Sequence, residues 1–375
     1  MFFSTIFLIS RIKYSNRVDE SIIVDGIERT YHLYIPSTYN GKKSVPLLIV
    51  LHGGGGTGKD MEEKNTLRGF DKLAEENFIV VYPDAVENHW NDGRNDPYAY
   101  SQQHNINDAG FISALIDHLK EEYNIDDTRI YVTGMSNGGM MTFRLGCELS
   151  DKITAIATVA ASMPMNLYNS CTPSNKIPVL MIHGTDDPII PWNGGYVHIF
   201  GKNRGRVISI LQTVNFWVEH NNCTLQSNKT YLLDVDPNDG THVWKEEYVN
   251  EIDCVKVVLY GIEGGGHTWP GGLRRWPEQL VGKMSNDVNV CEVIWDFLKE
   301  FKKDQLKFSQ KMSNYFLPPL RNGIIEIISP FFTTFLGSDT VFPFSNIIIF
   351  SLKLNLLKSL KILFKISSPN SLFIT

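Results

Sequence analysis

Cysteine is scarce in this chain: five occur in 375 residues. That excludes a disulfide-built scaffold and leaves room only for single staples. No C-x-x-C pair and no His/Cys group with zinc spacing occurs, so the sequence implies no metal and no organic cofactor. A basic excess is lacking too. Lys and Arg number 35 against 41 Asp and Glu, a net charge of −6 with no basic stripe, which argues against nucleic acid as a partner. No stretch reaches the ~20 uninterrupted apolar residues needed to span a bilayer. A nucleotide loop is excluded as well. Gly53 and Gly58-Lys59 fit the phosphate-loop spacing, but Asp60 stands where Ser or Thr must bind magnesium.

What is present is Gly134-Met135-Ser136-Asn137-Gly138. It follows a strand-like run, Arg129 to Thr133, and opens a helix-like run, Gly139 to Leu149. Strand, sharp turn and helix are the context that makes G-x-S-x-G a nucleophile elbow. Glycines on both sides tolerate the backbone angles and close approach that such a turn demands.

A serine hydroxyl needs a general base, and the base needs an orienting acid. In an α/β-hydrolase these follow in the order Ser, Asp or Glu, His. The buried-strand pattern Ile177 to Ile182 ends in His183-Gly184-Thr185-Asp186-Asp187-Pro188. Either aspartate suits the acid by spacing. A later strand-like run, Val255 to Tyr260, leads into a glycine-rich loop holding His267, the expected base. His52 and His183 each follow a strand and precede a glycine, which suits structural hydrogen bonding. The apolar run Leu47 to Leu51 precedes His52-Gly53-Gly54-Gly55-Gly56, an HGGG-type loop. Its Gly54 N–H, with that of Asn137, is expected to form the oxyanion hole.

With these motifs in place, the chain resembles the secreted polyhydroxybutyrate depolymerase-like and feruloyl esterase-like α/β-hydrolases. The matching segments are Leu51-His52-Gly53-Gly54, Trp90 to Arg94, Asn107 to Phe111, Tyr131 to Met141, His183 to Pro191 and Gly265 to Gly272, spanning roughly Val24 to Phe301. The resemblance implies Ser136 as nucleophile, His267 as base and Asp187, rather than Asp186, as acid. Polyester-degrading members often carry cysteine after His-Gly; here that position is Gly54, which weakens any transfer of polymer activity.

Strand-like and helix-like runs alternate, which predicts a mostly parallel, doubly wound sheet with helices on both faces. Ile22 to Val24, an Asp25-Gly26 turn and Arg29 to Ile35 read as the first strands. Asp60 to Glu76, Asn107 to Tyr123, Val207 to His220 and Val288 to Phe301 read as helices. Lys229 to Asn250 reads as a hairpin insertion. Three regions follow: an apolar, signal-like segment over 1–20, an esterase domain over 21–303 and a poorly ordered extension over 304–375. In the last, Lys353, Lys358, Lys361 and Lys365 decorate a short amphipathic helix pattern. Cys223 with Cys254, or Cys147 with Cys171, fits a staple, and the sequence does not choose. Two sequons, at Asn222 and Asn228, suit a secreted, extracellular protein.

Trp90 and Asn91 fall after a strand, Trp192 after the acid loop and Trp269 beside the base. All four are expected to bind substrate through cleft loops. Asp108 suits either substrate binding or a structural role. The sequence therefore predicts a monomeric serine esterase on a polyester, with feruloyl or acetyl esters of plant polysaccharide as the alternative. A non-catalytic binding protein on the same fold is the reading from another class.

Overall fold

The computed structural model describes residues 16–274 and 276–304, and the backbone of two short strands farther on. β1 (Arg17–Val24) and β2 (Ile27–Tyr34) pair as an antiparallel hairpin. Asp25 and Gly26 form its two-residue turn, at φ 53° and 78°, the left-handed pair that matches strand twist. β1 thus begins inside the segment assigned to the leader; residues 1–15 of that segment lie outside the described residues.

β3 (Val45–Leu51), β4 (Ile79–Pro83), β5 (Ile125–Met135), β6 (Ala155–Val159) and β7 (Val179–Gly184) form the parallel centre. β8 (Gly195–Ile199) and β9 (Lys202–Val207) make a separate hairpin. β10 (Leu225–Gln226), β11 (Thr230–Tyr231), β12 (His242–Asn250) and β13 (Val255–Glu263) complete the main sheet. Its order is β1-β2-β4-β3-β5-β6-β7-β13-β12-β10, with β11 also on β12. The six strands from β4 to β13 are parallel and the flanks antiparallel.

β3 is buried along its whole length because helices cover both faces of the sheet. Alternate side chains serve opposite layers: Leu47, Ile49 and Leu51 in one, Leu48 and Val50 in the other. The first layer receives the helices Asp108–Glu122, Asn137–Glu148 and Ile210–His220; the second receives Gly69–Ala74 and Val290–Leu298. Phe111, Ile112, Leu115, Ile116 and Leu119 are the buried stripe of the first helix, each worth roughly 1.5–3 kcal/mol of burial. Asn107 caps that helix, its side chain accepting the Gly110 N–H.

Three expectations are corrected. The helix expected over Asp60 to Glu76 is broken. A π-turn spans Met61–Asn65, Leu67 and Arg68 take positive φ, and a short helix resumes at Gly69. The Lys64 carbonyl, which an unbroken helix would offer to residue 68, accepts the Leu273 N–H from the histidine loop instead. The hairpin read over Lys229 to Asn250 is present as β11 on β12, but it is part of the main sheet and not an insertion: β12 pairs with β13 over nine positions. The helix expected from Val207 begins at Ile210, where Ser209 and Gln212 form a capping box; Val207 ends β9.

The staple joins Cys147 to Cys171, while Cys223 and Cys254 are free thiols. It ties the end of the helix after the elbow to the segment Met165–Ser170 across 24 residues. Loop-closure entropy for that length predicts that Cys147→Ser with Cys171→Ser lowers stability by about 3 kcal/mol, readable in urea unfolding. Of the extension, Phe364–Ser368 and Ser371–Ile374 pair antiparallel with each other. Lys365 therefore lies on a strand and not on the expected helix; the rest of that pattern lies outside the described residues. Among the described residues no helix is long and apolar enough to cross a membrane.

Candidate active site

Ser136 stands where β5 gives way to the helix Asn137–Glu148, at φ 55° and ψ −119°. A non-glycine residue holds such a backbone only when its surroundings enforce it. Here the Ser136 N–H donates to Val159 O at 2.9 Å, and Ser136 O accepts from Met140 N at 2.8 Å. The flanking glycines allow the close approach. A Cβ on Gly134 would sit 2.5 Å from Gly138 O, and one on Gly138 would sit 2.4 Å from the Leu51 and His52 carbonyls. The elbow thus presses on the end of β3.

A second close approach joins the other two loops. Gly184, ending β7, lies so near the histidine loop that its Cβ would be 2.2 Å from Gly265 O. The Asp186 N–H donates to that same carbonyl at 2.9 Å. This backbone contact sets Asp187 beside His267. His267 Nδ1 lies 2.7 Å from Asp187 Oδ2, and His267 Nε2 lies 2.8 Å from Ser136 Oγ. The Asp186 carboxylate accepts from its neighbour Thr185 and from no other donor among the described residues.

Asp187 is fully enclosed. Burial opposes its ionisation, but His267, first by charge and then by hydrogen bond, overrides that and holds its pKa below the usual carboxylate value. Its Oδ1 accepts the N–H groups of Ile189 and Ile190, each at 2.8 Å, which leaves Oδ2 for the imidazole. His183 packs against it, its Nε2 at 2.9 Å from Ile190 O, and burial lowers its pKa. His52 is likewise pushed down to about 4 by burial. Its Nδ1–H donates to Gly53 O and its Nε2 accepts the Ala85 N–H. Both histidines brace loops from within.

The N–H groups of Gly54 and Asn137 donate to no protein acceptor among the described residues. They flank the serine at the wall of one cavity of about 490 Å³. The Asn137 side chain is committed elsewhere: it accepts from Trp90 N at 2.8 Å and donates to Trp90 O and Asp92 Oδ2.

Of the residues expected to touch substrate, Trp269 alone lines this cavity, packed edge-on to Phe70. The other three are corrected. Trp90 is fully buried, and its indole N–H donates to His52 O at 3.0 Å, so it clamps the glycine loop to the elbow. Asn91 spends its N–H on Asp108 and its side chain on Ile106 O. Trp192 packs against His183 and Trp244. Asp108 is structural, bonded to Arg29 at 2.7 Å in the interior.

The cavity is lined instead by residues that the sequence did not single out. The β8–β9 hairpin contributes His198, Phe200 and Arg204, the loop after β4 contributes His89 and Arg94, and the histidine loop contributes Arg274 and Trp276. Phe200 and Trp276, both exposed, meet edge to face at 5.5 Å across the mouth. The alternation Tyr196, His198, Phe200 before a glycine was the one available signal for that hairpin.

A twisted sheet with a serine at the elbow and a histidine and an acid on later loops defines an α/β-hydrolase. Residues 38–198 match the Phospholipase/Carboxylesterase family. Among similar proteins, NocK of Nocardia uniformis subsp. tsuyamanensis, whose name calls it an esterase, is 29% identical over 293 residues, covering 74% of this chain and 81% of its own. Feruloyl esterase B of Piromyces equi is 28% identical over 71% of this chain and 44% of its own. The bifunctional acetylxylan esterase/xylanase XynS20E of Neocallimastix patriciarum is 32% identical over 48% and 24%. The chain thus spans less than half the length of those last two. The chain has the α/β-hydrolase fold and is similar to these esterases over much of its length.

Proposed function

We propose that the chain hydrolyses carboxylic esters through an acyl-enzyme on Ser136. The observation that carries this is the unbroken hydrogen-bonded line from Ser136 Oγ through His267 to Asp187 at the cavity wall. His267 Nε2 takes the hydroxyl proton as Oγ attacks the ester carbonyl. Asp187 fixes the tautomer with Nδ1 protonated and stabilises the imidazolium. The N–H groups of Gly54 and Asn137 receive the tetrahedral oxyanion. Collapse passes the proton from His267 to the leaving alkoxide, and water then releases the acid by the same steps in reverse.

The substrates are feruloyl or acetyl esters of plant cell-wall polysaccharide. Relatives named for those activities support this over the polyhydroxybutyrate reading, as does the aromatic mouth formed by Phe200 and Trp276, with Trp269 in the cavity wall behind it. The protein works outside the cell. The Cys147–Cys171 bridge and the exposed sequon asparagines Asn222 and Asn228 support an oxidising, extracellular setting.

The test is hydrolysis of methyl ferulate, acetylated xylan and a hydroxybutyrate oligomer, with fluorophosphonate labelling mapped to its peptide. Release of ferulate or acetate with the label on Ser136 is expected. No hydrolysis and no label on Ser136 would favour a binding protein on this fold.

A further inference from the structure

The cavity wall has an uneven charge. Arg94, Arg204 and Arg274 line it, and among the described residues no aspartate or glutamate does. The chain as a whole is acidic, at −6, so this is a local arrangement and not a reflection of composition. The acids that balance two of these arginines stand behind them. Asp92 and Asp96 are buried completely, with Arg94 3.2 Å from Asp96 and 3.5 Å from Asp92. Arg204 Nε lies 2.9 Å from Asp96 Oδ2. The pairs are therefore layered, carboxylates inward and guanidiniums toward the cavity.

Arg204 is the outermost of these two. Asp96 stands beside its Nε as an ion-pair partner without a hydrogen bond, and its Nη1 donates to His89 Nε2 at 3.4 Å. Its Nη2 has no acceptor among the described residues. His89 is set up as that acceptor: its Nδ1–H donates to Glu87 O, which turns the Nε2 lone pair to the arginine. Burial first, and the Arg204 and Arg94 charges after it, lower the pKa of this imidazole. Its ring also fills the space beside Gly54, where a Cβ would meet His89 Cδ2 and Nε2 at 3.0 Å. One imidazole therefore separates Arg204 from the loop assigned to the oxyanion. A planar guanidinium placed by an ion pair at Nε and a hydrogen bond at Nη1, with Nη2 unengaged among the described residues, has donors to offer a carboxylate.

We propose that this cleft selects esters that carry a carboxylate a short distance from the scissile bond, with Arg204 as the receptor. The inference rests on the ester-hydrolase reading and narrows its substrate class. The carboxylate comes either from the acyl side, as in a half-ester of a diacid, or from the alcohol side, as in an ester on an acidic sugar.

Two isosteric pairs separate these sources. Monomethyl adipate against methyl adipamate places carboxylate or carboxamide on the acyl side; para-acetoxybenzoate against para-acetoxybenzamide places them on the alcohol side. For wild type at low salt, kcat/KM for the carboxylate member of one pair is expected to exceed its amide by about tenfold or more, chiefly through KM. The pair that shows the preference identifies the side. Raising sodium chloride to about 0.5 M should erode the preference while leaving amide hydrolysis in place. Arg204→Gln should bring the ratio to about one, and Arg204→Lys should recover part of it. A wild-type ratio at or below one for both pairs, with the amides still cleaved, overturns this inference and leaves the esterase reading intact. Failure to cleave any of the four esters, with no label on Ser136, overturns both.

Discussion

Ser136→Ala is expected to lower kcat on the best ester on the order of a million-fold while leaving the fold unchanged. The size follows from what is lost. Without Oγ no acyl-enzyme forms, and His267 Nε2, now 2.8 Å from nothing that can be deprotonated and attack, has no nucleophile to activate. Water could enter the space, but it would lack the covalent positioning that splits one hard step into two easier ones. The residual rate should stay above that in plain water because the Gly54 and Asn137 N–H groups remain. The backbone at φ 55° is fixed by Val159, Met140 and the glycine contacts, none of which involves the hydroxyl, so alanine keeps the elbow. Thermal unfolding should differ by at most a few degrees. A variant retaining about one per cent of wild-type kcat would remove Ser136 from the nucleophile role.

The parts of this molecule legible in sequence are those with a local physical cause. β3 and β4 are continuous apolar runs, and β6 and β7 nearly so, because both faces of the sheet are covered, and the same burial makes them visible. The elbow was legible because Gly134 answers to the Gly138 carbonyl four residues on, within one short motif, although Gly138 is itself required by the distant Leu51 and His52 carbonyls. The order of Ser136, acid and His267 was legible from the fold class those strands imply. The choice of Asp187 over Asp186 was not, since both follow the same strand. It is made by Gly265 O, which holds the Asp186 backbone, and by the Ile189 and Ile190 N–H groups that seat Asp187.

What escaped were features decided between distant segments. Trp90 sits in a loop where α/β sheets present ligand groups, but its neighbours His52 and Asn137 claim both its ring and its backbone. A tryptophan beside a cleft and one beneath it have the same local sequence. The helix expected over Asp60 to Glu76 has a suitable apolar pattern, yet a carbonyl needed by Leu273 interrupts its ladder. Arg204 is an unremarked basic residue in a short strand until the hairpin turns it toward His89 and Asp96. The disulfide pairing likewise depends on how the helix after the elbow meets Met165–Ser170, which no spacing rule encodes.

Asp187→Asn is expected to cost roughly 10⁴-fold in kcat, with KM changed far less, and the reason lies in the hydrogen bonds around one carboxylate. Oδ1 already accepts two backbone N–H groups, from Ile189 and Ile190. An amide in this position must keep its oxygen there, because turning its NH₂ toward two donors would leave three buried groups unsatisfied. The NH₂ is then forced to face His267 Nδ1, 2.7 Å away in the native arrangement. A donor at that point makes Nδ1 an acceptor and moves the ring proton to Nε2, the nitrogen that must take the proton of Ser136. The base is present and in place but holds the wrong tautomer. The charge loss adds to this, since the carboxylate that His267 keeps ionised at ordinary pH would no longer stabilise the imidazolium. Two outcomes separate this account from simple unfolding. The variant should retain a cooperative thermal transition, and its rate should rise with pH into the alkaline range, where hydroxide takes the Ser136 proton in place of the blocked Nε2. A variant with near-wild-type kcat would transfer the orienting role to another carboxylate, with Asp186 the first to be changed.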